Sequence, residues 1–296
     1  MNSFGPVVTA MVTPFNENNQ LNISSLRRLI LHLLKHGSTS LVVTGTTGEA
    51  PTLTAIERLR VWETAIDFAG GTIPIIVGVG TNNTKTTIHN VKLAEEVGAD
   101  AVLVVTPYYN KPNQLGLLTH FKAIAESTDL PIFLYNIPSR TGVSLSLETI
   151  LELAEIKNIV GIKDSSGDIN QVLEFIRRTR DLGFKVFGGK DTLIYSSLTI
   201  GAVGGVCTTA NIFPELVTSI YNKFAEGNLK ESLELQFKLN PVRLSMDKAS
   251  FPVAAKDMAN INKMNVGAPI KPTLPSKQTV VDFMAGKMDE AGLLKR

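Results

Sequence analysis

From the N-terminus to about residue 226, short β-branched and apolar runs alternate with amphipathic stretches, and the alternation predicts eight strands. They are VVTAMVTPF (7–15), STSLVVTGTTG (38–48), IPIIVGVG (73–80), DAVLVVTP (100–107), PIFLYNIP (131–138), NIVGIKD (158–164), FKVFGGKD (184–191) and GAVGGVCTT (201–209). Between them, apolar residues recur at helical spacing. NISSLRRLILHLLKHG puts Leu26, Leu29, Ile30, Leu33 and Leu34 on one face and stops at Gly37, while Thr54 precedes Glu57 by three residues, as in a capping box. Near-continuous apolar strands, each followed by a helix, predict parallel strands closed into a (β/α)8 TIM barrel over residues 1–226. An open doubly wound sheet is the competing arrangement, but no G-x-G-x-x-G follows the first strand and no G-K-[ST] loop occurs. From about residue 228 the strand pattern stops. Three further helical segments predict a C-terminal helical extension over residues 227–296, packed on the barrel with no low-complexity linker before it.

Charge narrows the range of partners. The 29 Lys and Arg nearly balance 27 Asp and Glu, and no basic block is interleaved with aromatics, which argues against nucleic acid and for a small neutral or anionic ligand. The single Cys207 excludes an intrachain disulfide and fits a reducing compartment. No basic residue precedes Arg27 and no apolar run reaches the length of a membrane span, so a cytoplasmic protein without a membrane anchor is expected. His32 and His36 have the i, i+4 spacing of a helical metal pair, but no Glu follows the first. An ordinary helix end is the expectation there, and no metal site.

The segment NIVGIKDSSGD (158–168) places Lys163 directly after a run that reads as barrel wall. A lysine at a strand end ordinarily snorkels into solvent. Its neighbours on the same rim change that reading. Active sites of such barrels lie at the C-terminal strand ends, and there this chain puts Thr46 and Thr47 (TGTTGE), Tyr108 and Tyr109 (TPYYNKP), Tyr135 and Arg140 (YNIPSRTG), and glycine-rich turns in GGKD and GGVCTTAN. A lysine, phenols, hydroxyls and a guanidinium on one rim suit imine chemistry on an anionic carbonyl compound. A lysine stripped of water by barrel walls can offer its neutral amine to a ketone, with Tyr135 relaying protons and Thr46 and Tyr109 extending a hydroxyl chain to solvent.

The ordered combination GTTGE, TPYYNKP, YNIPSRTG and GIKDSSGD resembles the dihydrodipicolinate synthase and N-acetylneuraminate lyase superfamily of class I pyruvate-dependent aldolases, most of all its dihydrodipicolinate synthase branch. The resemblance covers the whole barrel. It implies an imine between Lys163 and pyruvate, with no separate cofactor, and a proton relay of Tyr135, Thr46 and Tyr109. Thr47 would hold the pyruvate carboxylate, and backbone groups at Gly189 and Val206 would line the pocket. Arg140 would bind the carboxylate of the second substrate, L-aspartate 4-semialdehyde, and ring closure would give 4-hydroxy-tetrahydrodipicolinate on the route to diaminopimelate and lysine. Tyr109 would reach into a neighbouring subunit's site, which implies a dimer at least and a homotetramer, a dimer of dimers, as the usual assembly.

Three departures from that branch bear on substrate choice. Asp164 and Ser165 stand where many members read Glu-Ala, Lys190 where an acid or amide is frequent, and APIKPTLP (268–275) replaces an Arg-Leu-Pro stretch. Many relatives are inhibited by lysine beside the tyrosine pair. This chain matches that site at Asn82 and Tyr108 but has Ala55, Arg58 and Thr86 where inhibited members place histidines and a glutamate, so weak or absent inhibition is expected unless an acid such as Glu49 compensates. Competing readings are an aldolase for a 2-keto-3-deoxy sugar acid or 4-hydroxy-2-oxoglutarate, a phosphate clamp built from GGKD and GGVCTTAN, and a non-enzymatic pyruvate-responsive protein.

Overall fold

A computed structural model describes residues 4–295. The barrel segment runs β1 (Val7–Ala10), α1 (Ile23–Lys35), β2 (Ser40–Val43), α2 (Ala55–Ala69), β3 (Ile75–Gly78), α3 (Thr84–Glu96), β4 (Ala101–Val105), α4 (Gln114–Ala125), β5 (Ile132–Asn136), α5 (Pro138–Thr141) and α6 (Leu147–Ala154). It continues with β6 (Ile159–Asp164), α7 (Ile169–Thr179), β7 (Lys185–Gly188), α8 (Ile194–Thr199), β8 (Gly204–Cys207) and α9 (Pro214–Ala225). Then come α10 (Leu229–Ser245), α11 (Phe251–Ile261) and α12 (Gln278–Glu290). All neighbouring strands pair in parallel, and β1 pairs with β8 through Val7 with Gly205 and Val8 with Val206, closing the barrel. This is the expected (β/α)8 fold with added C-terminal helices.

Each strand carries two faces because side chains alternate along it. Outward residues such as Leu41, Ile75 and Val77 pack under the helices with Trp62, Leu33 and Phe121. Inward residues, among them Val8, Val42, Ile76, Leu103, Phe133 and Phe187, fill the barrel itself. Phe133 meets Phe187 edge-on at 5.7 Å and Phe4 at 4.9 Å, so the lower barrel is packed and only the C-terminal end is left for chemistry.

The helices begin where the sequence supplies caps. Asn22 accepts from the Ser25 amide at the start of α1, and Thr54 and Glu57 form the reciprocal capping box of α2. The strands end earlier than their apolar runs. β1 stops at Ala10, yet Met11 to Phe15 stay buried and the Phe15 amide bonds the Val266 carbonyl of the C-terminal segment at 3.1 Å. Pro14 has no amide to give a ladder, so burial rather than pairing keeps this stretch apolar.

The C-terminal helices are tied to the loops that form the upper rim. Gln236 of α10 donates to the Asp191 carbonyl at 3.0 Å and accepts from the Tyr195 amide at 2.9 Å. Lys256 of α11 is fully buried, with Nζ 2.6 Å from Glu49 and 3.0 Å from the Ala268 carbonyl, while the Ile270 amide donates to Glu49 at 3.0 Å. Burial draws the Lys256 pKa down to about 8 against the pull of Glu49. Glu49 is therefore committed to holding α11 against the loop after β2, which removes it as a compensating acid for an amino-acid effector.

Candidate active site

Lys163 is the fifth residue of β6, level with Tyr135 on β5 and Phe187 on β7. A register shift between Ile132 and Phe133 absorbs one extra β6 residue, which brings Gly161 and Lys163 onto the inward face beside Phe133 and Tyr135. Lys163 is 6% exposed, so it does not snorkel, and its Nζ lies 4.1 Å from the centre of the Tyr135 ring. Burial alone would raise the Tyr135 pKa. The Lys163 charge, with hydrogen bonds to Thr46, Ser165 and Lys163, outweighs it and holds the phenol below its ordinary range. Thr46 Oγ1 stands 3.5 Å from the phenolic oxygen.

Close backbone approach shapes the floor. A Cβ on Gly189 would collide with Ser165 Oγ and stand 3.1 Å from Lys163 Cε, so only glycine leaves the lysine its place. Asp164 points to the other side of the strand, where it accepts from Asn136 Nδ2 at 2.8 Å and the Ser166 amide at 2.9 Å; its pKa is raised by burial against these bonds. Ser165 donates to the Gly189 carbonyl at 3.1 Å. Asp164 thus pins the strand end from behind, while Ser165 lines the cavity side beside Lys163 and Tyr135.

A cavity of about 340 Å³ opens above Lys163, lined among others by Thr47, Tyr135, Arg140, Gly189, Lys190 and Thr208. Thr47 and Thr208 are both buried, with their hydroxyls 2.9 Å apart. Arg140 lies over the Phe251 ring at 5.6 Å, and Arg243 covers the same ring at 5.2 Å while holding Asp247 at 2.8 Å. Arg243, Phe251 and Asp247 come from α10, α11 and their connection. In the sequence they read as ordinary helical positions, with no local pattern of their own.

A second cavity of about 220 Å³ shares Tyr135 with the first and is lined also by Thr46, Arg58, Thr81 and Tyr108. Among the described residues, no acidic side chain lines it. Burial lowers the Arg58 pKa more than nearby Tyr108 raises it, and Arg58 Nε is buried with no hydrogen-bond partner among the described residues.

Within the single chain the tyrosine pair divides. Tyr109 is 87% exposed at φ 72° and lines neither cavity, whereas its neighbour Tyr108 lines the second. The Val206 side chain faces the barrel interior beneath Lys163 with Val8, Val42 and Phe187, whereas the expectation at Val206 concerned its backbone.

A phosphate clamp on the last two loops is disfavoured, because Asp191 already accepts from both the Thr209 amide and its hydroxyl at 2.6 Å. An anion there would have to displace a buried carboxylate. His36 caps α1, with Nδ1 2.6 Å from the His32 carbonyl and Nε2 3.4 Å from Glu215, while burial, aided by the nearby His36, draws the His32 pKa to about 4.

Comparison with known proteins places this geometry. The family model described as the dihydrodipicolinate synthetase family matches residues 3–285. A 4-hydroxy-tetrahydrodipicolinate synthase of Halalkalibacterium halodurans is 42% identical over 273 residues, covering 92% of each chain. A dihydrodipicolinate synthase crystal structure from Bacillus anthracis superposes with a TM-score of 0.96 at 38% identity over 100% of both chains. Another, described as the first monomeric dihydrodipicolinate synthase variant, gives 0.95 at 38% identity over 98% of both chains.

Proposed function

Because the chain belongs to the dihydrodipicolinate synthetase family, we propose that the cavity above Lys163 condenses pyruvate with L-aspartate 4-semialdehyde to 4-hydroxy-tetrahydrodipicolinate, a step of diaminopimelate and lysine biosynthesis. The observation that carries this is the placement of Lys163: inward on a closed barrel, beside a phenol of lowered pKa, at the foot of a cavity whose rim bears Arg140.

The Lys163 amine adds to the keto carbon of pyruvate, and the keto oxygen leaves as water. The resulting protonated imine acidifies the methyl group and supplies the electron sink, so the proposed reaction draws on no separate cofactor. Tyr135 moves the protons of these steps and Thr46 passes them on. The Thr47 and Thr208 hydroxyls receive the pyruvate carboxylate, with Gly189 giving backbone room. The enamine carbon attacks the aldehyde carbon of the acceptor, whose carboxylate Arg140 holds and whose oxygen takes a proton. The acceptor's amine then attacks the imine carbon, closing the ring and releasing Lys163.

Tyr109 fits this scheme as a residue given to a partner. Tyr109 is exposed and held in the left-handed region, a strained placement for a bulky side chain that contact with a partner would make useful. In the proposed assembly, a dimer at least and a dimer of dimers in full, each Tyr109 completes its neighbour's relay. The protein works in the cytoplasm, where both substrates arise; no helix among the described residues is long and apolar enough to cross a membrane.

Borohydride reduction with pyruvate tests the imine. The peptide bearing GIKDSSGD should gain a reduced pyruvyl group on Lys163, and turnover with an unmodifiable Lys163 would exclude the mechanism.

A further inference from the structure

The turn after β2, which presents Thr46 and Thr47, is fastened from outside the cavity. It closes on itself through the Glu49 amide to the Thr46 carbonyl at 3.2 Å and the Ala50 amide to the Gly45 carbonyl at 3.3 Å. Glu49 stands at φ 58°, in the left-handed region that a residue with a Cβ seldom occupies. Such a conformation persists where the surroundings over-determine it. Here the surroundings are the C-terminal extension: one Glu49 oxygen lies 2.6 Å from Lys256 Nζ of α11, and the other accepts from the Ile270 amide at 3.0 Å. Lys256 is 0% exposed, donates to the Ala268 carbonyl at 3.0 Å and lies with Nζ 4.2 Å from the centre of the Phe15 ring. Neither Glu49 nor Lys256 lines the cavity above Lys163.

The hydroxyl opposite is backed in the same way. Thr208 precedes Thr209, whose amide and hydroxyl both donate to the buried Asp191 at 2.6 Å, and the Asp191 carbonyl accepts from Gln236 of α10 at 3.0 Å. Each of the two hydroxyls that meet at 2.9 Å, on Thr47 and Thr208, therefore stands one or two residues from a group tied to the C-terminal helices. A buried ion pair adds little net stability, because stripping water from both charges offsets their attraction. It does fix position: the Glu49 carboxylate has one place where one oxygen meets the ammonium and the other the amide.

We infer that Lys256 is a positioning residue for the keto acid, fixing Thr47 through Glu49 at the separation from Thr208 that a carboxylate requires. The inference rests on the pyruvate binding proposed at that hydroxyl pair. Without the ion pair the turn loses the anchor of its left-handed residue, and bound pyruvate must order Thr47 itself, which weakens binding. α11 stays in place, since Ala255, Met258 and Ala259 pack in the core. Lys163 on β6 is held by its strand neighbours, and Arg140 by the Phe251 ring. The loss falls on pyruvate and spares the acceptor.

The experiment uses the full-length protein and removes the pair without stranding a buried carboxylate. Lys256→Met with Glu49→Gln deletes both charges, and Glu49→Gln alone is milder and keeps an acceptor for the Ile270 amide. Ile124→Ala, a core truncation in α4, is the control for lost stability. Three quantities are read: the pyruvate concentration that half-saturates borohydride trapping at Lys163, KM for aspartate semialdehyde at saturating pyruvate, and the thermal unfolding midpoint. The double variant should need about tenfold more pyruvate and Glu49→Gln about threefold more, while KM for aspartate semialdehyde moves by less than about twofold. Ile124→Ala should lower the midpoint and leave pyruvate half-saturation at the wild-type value. Unchanged pyruvate half-saturation in the two pair variants would overturn the inference, as would an equal rise for both substrates or the same rise in Ile124→Ala. No trapping in wild type would instead refute the pyruvate binding at Lys163 from which the inference starts.

Discussion

A guanidinium stacked on a ring is oriented before a ligand arrives, so little ordering is left to offset binding. Arg140 over Phe251 is such a group. Arg140→Ala should raise KM for aspartate semialdehyde by roughly tenfold to a hundredfold while pyruvate trapping at Lys163 proceeds, because the lost contact touches only the second substrate. Steady-state kinetics beside borohydride trapping separates the two. Arg58 argues in the opposite direction for an amino-acid effector. It brings a cation into a cavity that no acidic side chain lines among the described residues, and Glu49 is taken by Lys256. A lysine ammonium finds no partner there, so initial rates should stay flat as lysine is titrated into the millimolar range. Lys163 was legible because a charge directly after Ile159–Ile162 breaks a buried pattern. Arg243 and Phe251 were not, because their pattern is that of any amphipathic helix and only folding brings α10 and α11 over the rim. Tyr109 was legible through the family resemblance as a residue directed toward a neighbour, but the positive φ at which it stands was not, since no glycine or asparagine at that position announces it.

Among the elements, α4 carries a buried titratable group that the chemistry does not use. His120 accepts or donates through Nδ1 to Thr84 at the start of α3, 2.9 Å away, while its Nε2 is buried without a partner. Burial lowers its pKa from 6.5 to about 4. Between those values the unfolded chain binds a proton that the folded chain refuses, so this stability is full above pH 6.5 and is lost as pH falls toward 4. The loss should reach about 3 kcal/mol. Denaturant titrations from pH 7 to pH 4.5 should show a steeper decline for wild type than for His120→Gln. Each of the eight strands lies inside the run that predicted it, and every one is shorter than that run. Apolar residues continue past the ladder wherever the following loop is itself buried, as at Met11 to Phe15, so hydrophobicity marks the interior more faithfully than it marks pairing.

At the scale of the whole molecule, the relay of the proposed assembly is divided between subunits, and complementation can detect it. Lys163→Ala and Tyr109→Phe should each have little activity alone. After mixing under dissociating conditions, hybrid dimers hold one site with both native residues, and about a quarter of wild-type activity should return in a statistical mixture. No recovery would assign Tyr109 a role within its own chain. The closed ring has a consequence for how the protein is made. β1 emerges first from the ribosome, but its pairing with β8 waits for residues about 200 positions later. Until then the nascent chain bears two unpaired strand borders and an uncovered apolar lining, whereas the finished ring has no border at all. Its hazard of sticking to other chains is therefore concentrated in synthesis, and chaperone demand should fall once Gly204–Cys207 have cleared the exit tunnel.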